Sequence, residues 1–465
     1  MSHVSRKFSA VEFEGRWDPE FYDKRYGIIK DALLATGAEP LSAFVAQANR
    51  GTGPRYDASG SVRVINSVNV RSLELSDERQ SYVSAAELRA NPTAAVHPGD
   101  LVVTSTGIGT LGRTFCSVSK ETFFADGHIT VVRLKDKRMG AYLSAFLQSP
   151  LGRAQFVQRR RGSSRQVELY PEDIVSVLVP KLPNDREWLA TEWLAAVKEI
   201  ARANSIYPEA EKRVLDELEW EKIEAAHSSN HFKSTFSVAQ VANRWDAEFY
   251  APRVSKLDDA LASRGALRFH ELEKSYVKGV QPEMYTQEPG ITVIKSKDVL
   301  KGGINLGSCD RALTKHLDGD QGRVEPGMLV VNMTGVGTLG RAAVVPPSEQ
   351  SLVVSVDVSA WRIKNEFVPA EYIALFLNSA AGMTQTLRYQ TGSSGQLHLY
   401  PEHIRNLRVF VKQTASGEVD RHWHLNLARD VRRAASARLA ANARLVEIDK
   451  RLATIVGVSP RIARE

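Results

Sequence analysis

The chain has only two cysteines in 465 residues, no apolar run near the roughly 20 residues that cross a bilayer, and no motif that marks a catalytic pocket. Each absence excludes something. Cys116 and Cys309 do not fall at corresponding points of the sequence, which argues against a shared disulfide or metal role and for a reducing, cytoplasmic setting. The basic start Met1-Ser2-His3-Val4-Ser5-Arg6-Lys7 leads into no apolar stretch, so no signal peptide is expected. The run Thr106-Gly107-Ile108-Gly109-Thr110-Leu111-Gly112-Arg113 lacks the Gly-Lys-Ser/Thr ending that holds nucleotide phosphates and magnesium. Asn91-Pro92-Thr93 does not supply the Asn-Pro-Pro-aromatic motif of an amino-methyltransferase. Asp18 and Asp246 have no acid at fixed spacing beside them and no lysine to complete a nuclease set. His422 and His424 stand at i and i+2, which splays them on a helix and opposes them on a strand. No catalytic residue, cofactor or metal is therefore assigned, and an enzyme is not expected.

What is present is a repetition. Arg16-Trp17-Asp18-Pro19-Glu20-Phe21-Tyr22 returns as Arg244-Trp245-Asp246-Ala247-Glu248-Phe249-Tyr250. The glycine run from Thr106 to Arg113 returns as Thr334-Gly335-Val336-Gly337-Thr338-Leu339-Gly340-Arg341. Gly162-Ser163-Ser164-Arg165-Gln166, with Leu169-Tyr170-Pro171-Glu172 after it, returns as Gly392-Ser393-Ser394-Gly395-Gln396 with Leu399-Tyr400-Pro401-Glu402. The offsets are 245 − 17 = 228, 334 − 106 = 228 and 392 − 162 = 230. Three blocks in one order at nearly one spacing imply a duplicated domain, with a period far above the solenoid range.

Each copy reads as a mixed α/β region followed by a helical tract, a fold class of α/β (α+β) type. Expected strands are Val62–Ile65, Asp100–Val103 and Ile129–Leu134, answered by Ile291–Ile294, Met328–Val331 and Val356–Ile363. Short helices are expected at Tyr142–Gln148 and Tyr372–Asn378. In the helical tracts Leu189, Trp193, Ala196, Ile200 and Ala203 recur at spacings of four and three. Val431, Ala434, Ala441, Leu445, Ile448, Leu452 and Ile455 keep the same alternation, with Arg438 interrupting the seam. Such narrow stripes suit an antiparallel helix pair, which would relate the α/β regions by a pseudo-two-fold axis. Pro208 removes a backbone donor, so a kink or break is expected near Tyr207. The second tract, about Arg421 to Val456, has no interruption. Its 36 residues make on the order of 50 Å of helix.

The net charge of +7 is mild for this length, so its placement matters more than its size. Arg159, Arg160, Arg161 and Arg165 form a dense run beside the Gly-Ser-Ser turn, which reads either as a solvated face or as a phosphate contact. The glycine runs read as tight turns needing positive φ, as backbone amides approaching phosphate with Arg113 and Arg341 adding charge, or as both. Residues common to both copies should position a ligand, and residues that differ should specify it. Thr106, Gly107, Gly109, Arg113, Arg160, Arg161, Ser163, Ser164, Arg165 and Gln166 are the candidate contacts of the first copy. Thr334, Gly335, Gly337, Arg341, Ser393, Ser394 and Gln396 are those of the second. The divergent stretches add Arg63, Asn66 and Asn69 on one side and Lys295 and Lys297 on the other. Trp17 and Trp245 are expected to be core anchors.

These blocks, with the strands Ile174–Pro180 and Ile404–Val411 before the helices, resemble the specificity (S) subunit of Type I restriction–modification systems over nearly the whole chain. The resemblance implies a target-recognition domain at 1–183, a first spacer helix and linker at 184–230, a second recognition domain at 231–412 and a second spacer helix at 413–465. It also implies that each domain reads half of a split double-stranded DNA site, and that the helices form an antiparallel coiled coil acting as a ruler. Two methyltransferase (M) subunits and restriction/translocase (R) subunits would be the partners in antiviral defence, with no membrane. Two other readings stay open: a non-catalytic scaffold of a phage-defence complex, and a nuclease or modification enzyme with an unrecognised active site.

Overall fold

The computed structural model describes residues 16, 18–162, 167–225, 247–286, 288–317, 319–364, 368–392, 397–459 and 462. The chain divides into two compact units, Met1–Ala201 with Ala440–Glu465, and Arg202–Leu439. The cuts fall inside the two long helices, so each unit owns one α/β region and a half of each helix.

In the first unit a sheet of four antiparallel strands runs in the order Val45–Arg50, Ile129–Leu134, Leu101–Thr104, Thr114–Cys116. A second sheet runs Tyr82–Val83, Val62–Ile65, Phe123–Ala125, Ala95–Val96, with the middle pair parallel. The expected β-rich runs supply these central strands, because continuous Val, Ile and Leu suit a strand buried on both faces. Leu101–Thr104 is buried at every residue.

The second unit has the same orders and senses. Glu273–Val277, Val358–Ile363, Leu329–Asn332 and Ala342–Val344 make the antiparallel sheet. Asp310–Ala312, Ile291–Ile294, Leu352–Val354 and Arg323–Val324 make the other, again with a parallel middle pair. The expected short helices extend two residues further back than their apolar pattern, to Gly140–Gln148 and Ala370–Asn378.

Matching side chains tie these helices, and the helices Pro150–Arg159 and Ala380–Tyr389 that follow them, to the strand that leads towards the long helix. Gln155 is buried and bonds both backbone groups of Leu178, donating to its carbonyl at 3.0 Å and accepting from its N–H at 2.8 Å. Gln385 does the same to Arg408 at 3.0 and 2.8 Å. Tyr142 and Tyr372 donate to Pro180 and Phe410 carbonyls. An edge backbone group buried without such a partner would cost about 1–3 kcal/mol, so the amide is the economical residue there.

The helical tracts are Arg186–Glu217 and Arg421–Val456. Within the first unit, Leu189, Trp193, Ala196 and Ile200 share one core with Ala441, Ile448 and Leu452. Asp185 pairs with Arg451 and Glu192 with Arg444, both at 2.5 Å, so numbers rise along one helix as they fall along the other. Within the second unit, Ala203, Tyr207, Ala210 and Val214 share a core with Leu427, Val431, Ala434 and Ala437. Arg213 pairs with Asp430 at 3.0 Å. Arg438 is accommodated in the seam by donating to Asn204 at 2.7 Å.

Of the kink or break expected at Pro208, the break is absent, since the helix runs through the proline. Its neighbour Tyr207 is buried and accepts a hydrogen bond from Asn378 at 3.0 Å, so tertiary packing holds the turn that proline weakens. The helix ends at Glu217, just before Glu219, whose φ of 55° is left-handed and cannot continue an α-helix. Trp17, Trp245 and the proposed linker around His227–Asn230 lie outside the described residues.

Candidate nucleic-acid interface

The three repeated blocks, scattered along the sequence, meet in each unit. In the first, the turn after Leu101–Thr104 carries the glycine run, and Ser105 accepts from the Leu169 N–H at 2.8 Å while Gly107 donates to Val167 at 3.3 Å. In the second, Met333 accepts from Leu399 at 2.8 Å and Gly335 donates to Leu397 at 3.3 Å. The glycine loop is thereby laced to the segment that follows each Gly-Ser-Ser turn. Gly107 and Gly335 take φ of 98° and 105°, which favours glycine. Gly112 and Gly340 add a packing demand, since a Cβ would lie 2.8 Å from Phe156 and against Thr386 respectively. The loops are therefore tight turns, as one of the two readings required.

Side chains fix them further. Thr106 bonds His128 Nδ1 at 2.8 Å, and Thr334 donates to Asp357 Oδ1 at 2.9 Å, two different partners doing one task. Thr110 donates back to the Thr106 carbonyl at 2.9 Å and Thr338 to that of Thr334 at 3.1 Å. Leu111 and Leu339 plug the loops into the core. What is exposed is Gly109 and Gly337 and the residue before each, with a half-buried arginine at each loop's foot.

Arg113 and Arg341 have no carboxylate partner among the described residues. Burial, together with the nearby guanidinium groups of Arg71 and Arg153, holds Arg113 below the usual arginine range. Arg153 is held down by burial as well, and donates to the Leu111 carbonyl at 3.4 Å. Arg71 is itself paired with Glu78 at 2.7 Å, which leaves Arg113 and Arg153 as the partly desolvated cations that gain from an incoming anion.

Other predicted residues are placed differently. Asn69 is buried, and its amide bonds Ser76 and Glu78 carbonyls and the Asn66 N–H, so it holds its own loop together. Arg63 lies over the Phe123 ring, pairs with Asp77 at 2.6 Å and donates to the Leu75 and Ser76 carbonyls, a rivet between strand and loop. Asn66 accepts from Val68 in the same turn. The basic run is also spent internally. Arg159 bonds Ser176, Arg160 pairs with Glu20 at 2.6 Å, and Arg161 makes a bidentate pair with Asp173 at 2.8 Å. These side chains bind neighbouring helices together, and Arg160 lines a cleft of about 550 Å³ that holds Asp18, Glu20 and Asp23 too. The described arginines of the run thus each have a partner within the fold, while Arg160 and Arg161 stay partly exposed. Lys295 sits 3.5 Å over the Tyr285 ring and pairs with Asp310, while Lys297, more exposed, shares that carboxylate. Ser163, Ser164, Arg165, Gln166, Ser393, Ser394 and Gln396 lie outside the described residues.

Sequence reasoning missed Arg71 and Arg153 as companions of Arg113, and a cavity in the second unit. Tyr276, Lys278, Met333, Thr334, His398 and Tyr400 line that cavity, of about 290 Å³. At the corresponding place of the first unit, Arg50 and Glu168 form an ion pair at 3.2 Å. His424 is buried, with Nδ1 at 2.7 Å from the Asp420 carbonyl and Nε2 accepting from Lys412; burial lowers its pKa. No helix among the described residues is long and apolar enough to cross a membrane.

No family model matches the chain, and no curated protein matches it. Among the solved structures similar to it are an S subunit of a Type I restriction–modification system, a chain of a type I restriction–modification assembly and an HsdS subunit. One is the S subunit from M. genitalium, at 12% identity, covering 92% of this chain and 94% of that one with a TM-score of 0.39. A second comes from work on complex assembly and conformational transition of the type I system, at 13% identity, 92% and 97% coverage and TM-score 0.28. The HsdS subunit from Thermoanaerobacter tengcongensis is 12% identical, with 92% and 96% coverage and TM-score 0.26.

Proposed function

We propose that this chain is a non-catalytic DNA-specificity subunit, built by internal duplication, whose two α/β regions each read half of a bipartite double-stranded site. The observation that supports it best is the recurrence of one laced glycine loop in both units, each with an arginine that has no acid partner among the described residues. Thr106, Gly107, Gly109 and Arg113 would sit on phosphate in one half, and Thr334, Gly335, Gly337 and Arg341 in the other, with Arg71, Arg153, Lys295 and Lys297 nearby. Common residues position, and the differing surroundings of the loops specify. Asn69 and Arg63 leave the proposed interface because they are largely buried and bonded to carbonyls of their own loop.

The long helices would pair as an antiparallel coiled coil that spaces the readers and carries M subunits, and through them R subunits, in the cytoplasm. Selection of bound duplexes from a random library tests this, with and without the methyltransferase encoded alongside. Two short sequence blocks at a fixed gap are the expected result. Equal binding at all sequences, or turnover of DNA by the purified chain alone, would sink the reading.

A further inference from the structure

Ile108 and Val336 are 65% and 66% exposed. They stand at the same position of the two glycine loops, between glycines of positive φ. Single exposed aliphatic residues are ordinary on protein surfaces and need no account. The coincidence does. Packing cannot explain it, because neither side chain belongs to a core cluster. The copies have replaced even the anchor of the loop threonine, His128 in one and Asp357 in the other, yet both keep a β-branched hydrocarbon at the tip.

The tips are held rather than loose. Below each, a threonine hydroxyl closes the turn, a buried leucine plugs it, and a backbone bond laces it to the neighbouring segment. A rigid protrusion loses little freedom on insertion. Its surroundings are cationic: Arg113 at the foot of the first loop feels Arg71 and Arg153, and Arg341 stands at the foot of the second. A hydrocarbon point with an arginine at the foot of its loop matches a ligand charged outside and apolar within. Stacked base pairs between phosphate rails have that character.

We propose that Ile108 and Val336 are wedges, each entering between adjacent base pairs of its half-site and unstacking one step, with the loop-foot arginines gripping the flanking phosphates. This rests on the DNA reading above and adds what the loops do there. Pyrimidine–purine steps unstack most readily, so each half-site should carry or adjoin a TA or CA/TG step.

The test uses the full chain, with whatever methyltransferase subunit the duplex selection requires, on the selected duplex carrying 2-aminopurine at successive positions outside any methylated base. Fluorescence should rise at one position per half. Ile108→Ser should abolish the rise in one half only and Val336→Ser in the other, each weakening binding about tenfold. Ile108→Val should retain both. Unchanged thermal midpoints are expected, since the side chains are exposed. Specific binding with no fluorescence change, or a loss of affinity without one, overturns the wedge and leaves the DNA reading standing. If no duplex is enriched at all, that reading fails and the wedge with it. Capture of the chain by phosphatidylglycerol vesicles, lost in Ile108→Ser while DNA binding is untouched, would overturn the wedge in favour of a lipid surface.

Discussion

The two units share strand order, loop conformation and buried amides, and differ in what surrounds the loop. In the first, Arg50 and Glu168 close the space beside the glycine turn with an ion pair. In the second, Lys278 has no carboxylate partner among the described residues, and the same place opens into a cavity walled by Tyr276 and Tyr400. Conformation is kept where a backbone cannot do otherwise, and chemistry varies where side chains meet solvent. A molecule that presents one scaffold twice with two different surfaces suits a target with two different halves.

The frame can be broken equally in both units. Gly112→Ala combines a left-handed backbone with a Cβ 2.8 Å from Phe156 and should cost about 3 kcal/mol, read by denaturant unfolding. Gly109→Ala meets nothing within 4 Å and should cost only about 1 kcal/mol. Gln155→Leu and Gln385→Leu each strand a buried backbone pair, and both should lose about 2 kcal/mol; a large difference between them would show that the frame is not equivalent.

Arg63→Ala and Lys297→Ala sharpen the contrast between rivet and surface. Arg63 is spent on Asp77 and two carbonyls, so its loss should destabilise by about 1.5 kcal/mol. Lys297, more than half exposed, should leave stability within about 0.5 kcal/mol of the parent. Any effect it has should appear in DNA selection. Glu168→Gln releases Arg50 and should steepen the salt dependence of DNA binding by about one phosphate contact.

The smallest expected effect is on pH. Burial lowers the pKa of His424, so the folded chain prefers the neutral ring. The contribution is present above the unfolded value near 6.5 and is lost as pH falls from there through the folded value. His424→Gln should flatten that part of a stability–pH profile. An unchanged profile would mean that the ring is protonated in place.

Much of the frame was legible. Val62–Ile65, Ile129–Leu134 and Ile291–Ile294 are strands at their expected bounds, and the second long helix spans Arg421–Val456 as its apolar spacing implies. These are local patterns, fixed by period and turn chemistry. The candidate interface was legible only in part. The glycine loops announced themselves by repetition, but Arg63 and Asn69, polar residues in a divergent stretch, look the same in sequence whether they face solvent or bind carbonyls. The same holds for Arg160 and Arg161, whose acids, Glu20 and Asp173, lie up to 140 residues away along the chain. Pro208 left both a kink and a break open, and the break is absent because helix propensity is a local cost that a buried neighbour can override.

By itself the amino-acid order determined that one domain plan occurs twice, that glycines shape its loops and that two long amphipathic helices run beside it. Periodicity and turn chemistry need no distant partner. Only the tertiary structure decided which cations are neutralised, that Arg71 and Arg153 gather around Arg113, and that Ile108 and Val336 are left in water. Those are properties of what stands opposite a side chain, and the chain chooses its opposites by folding.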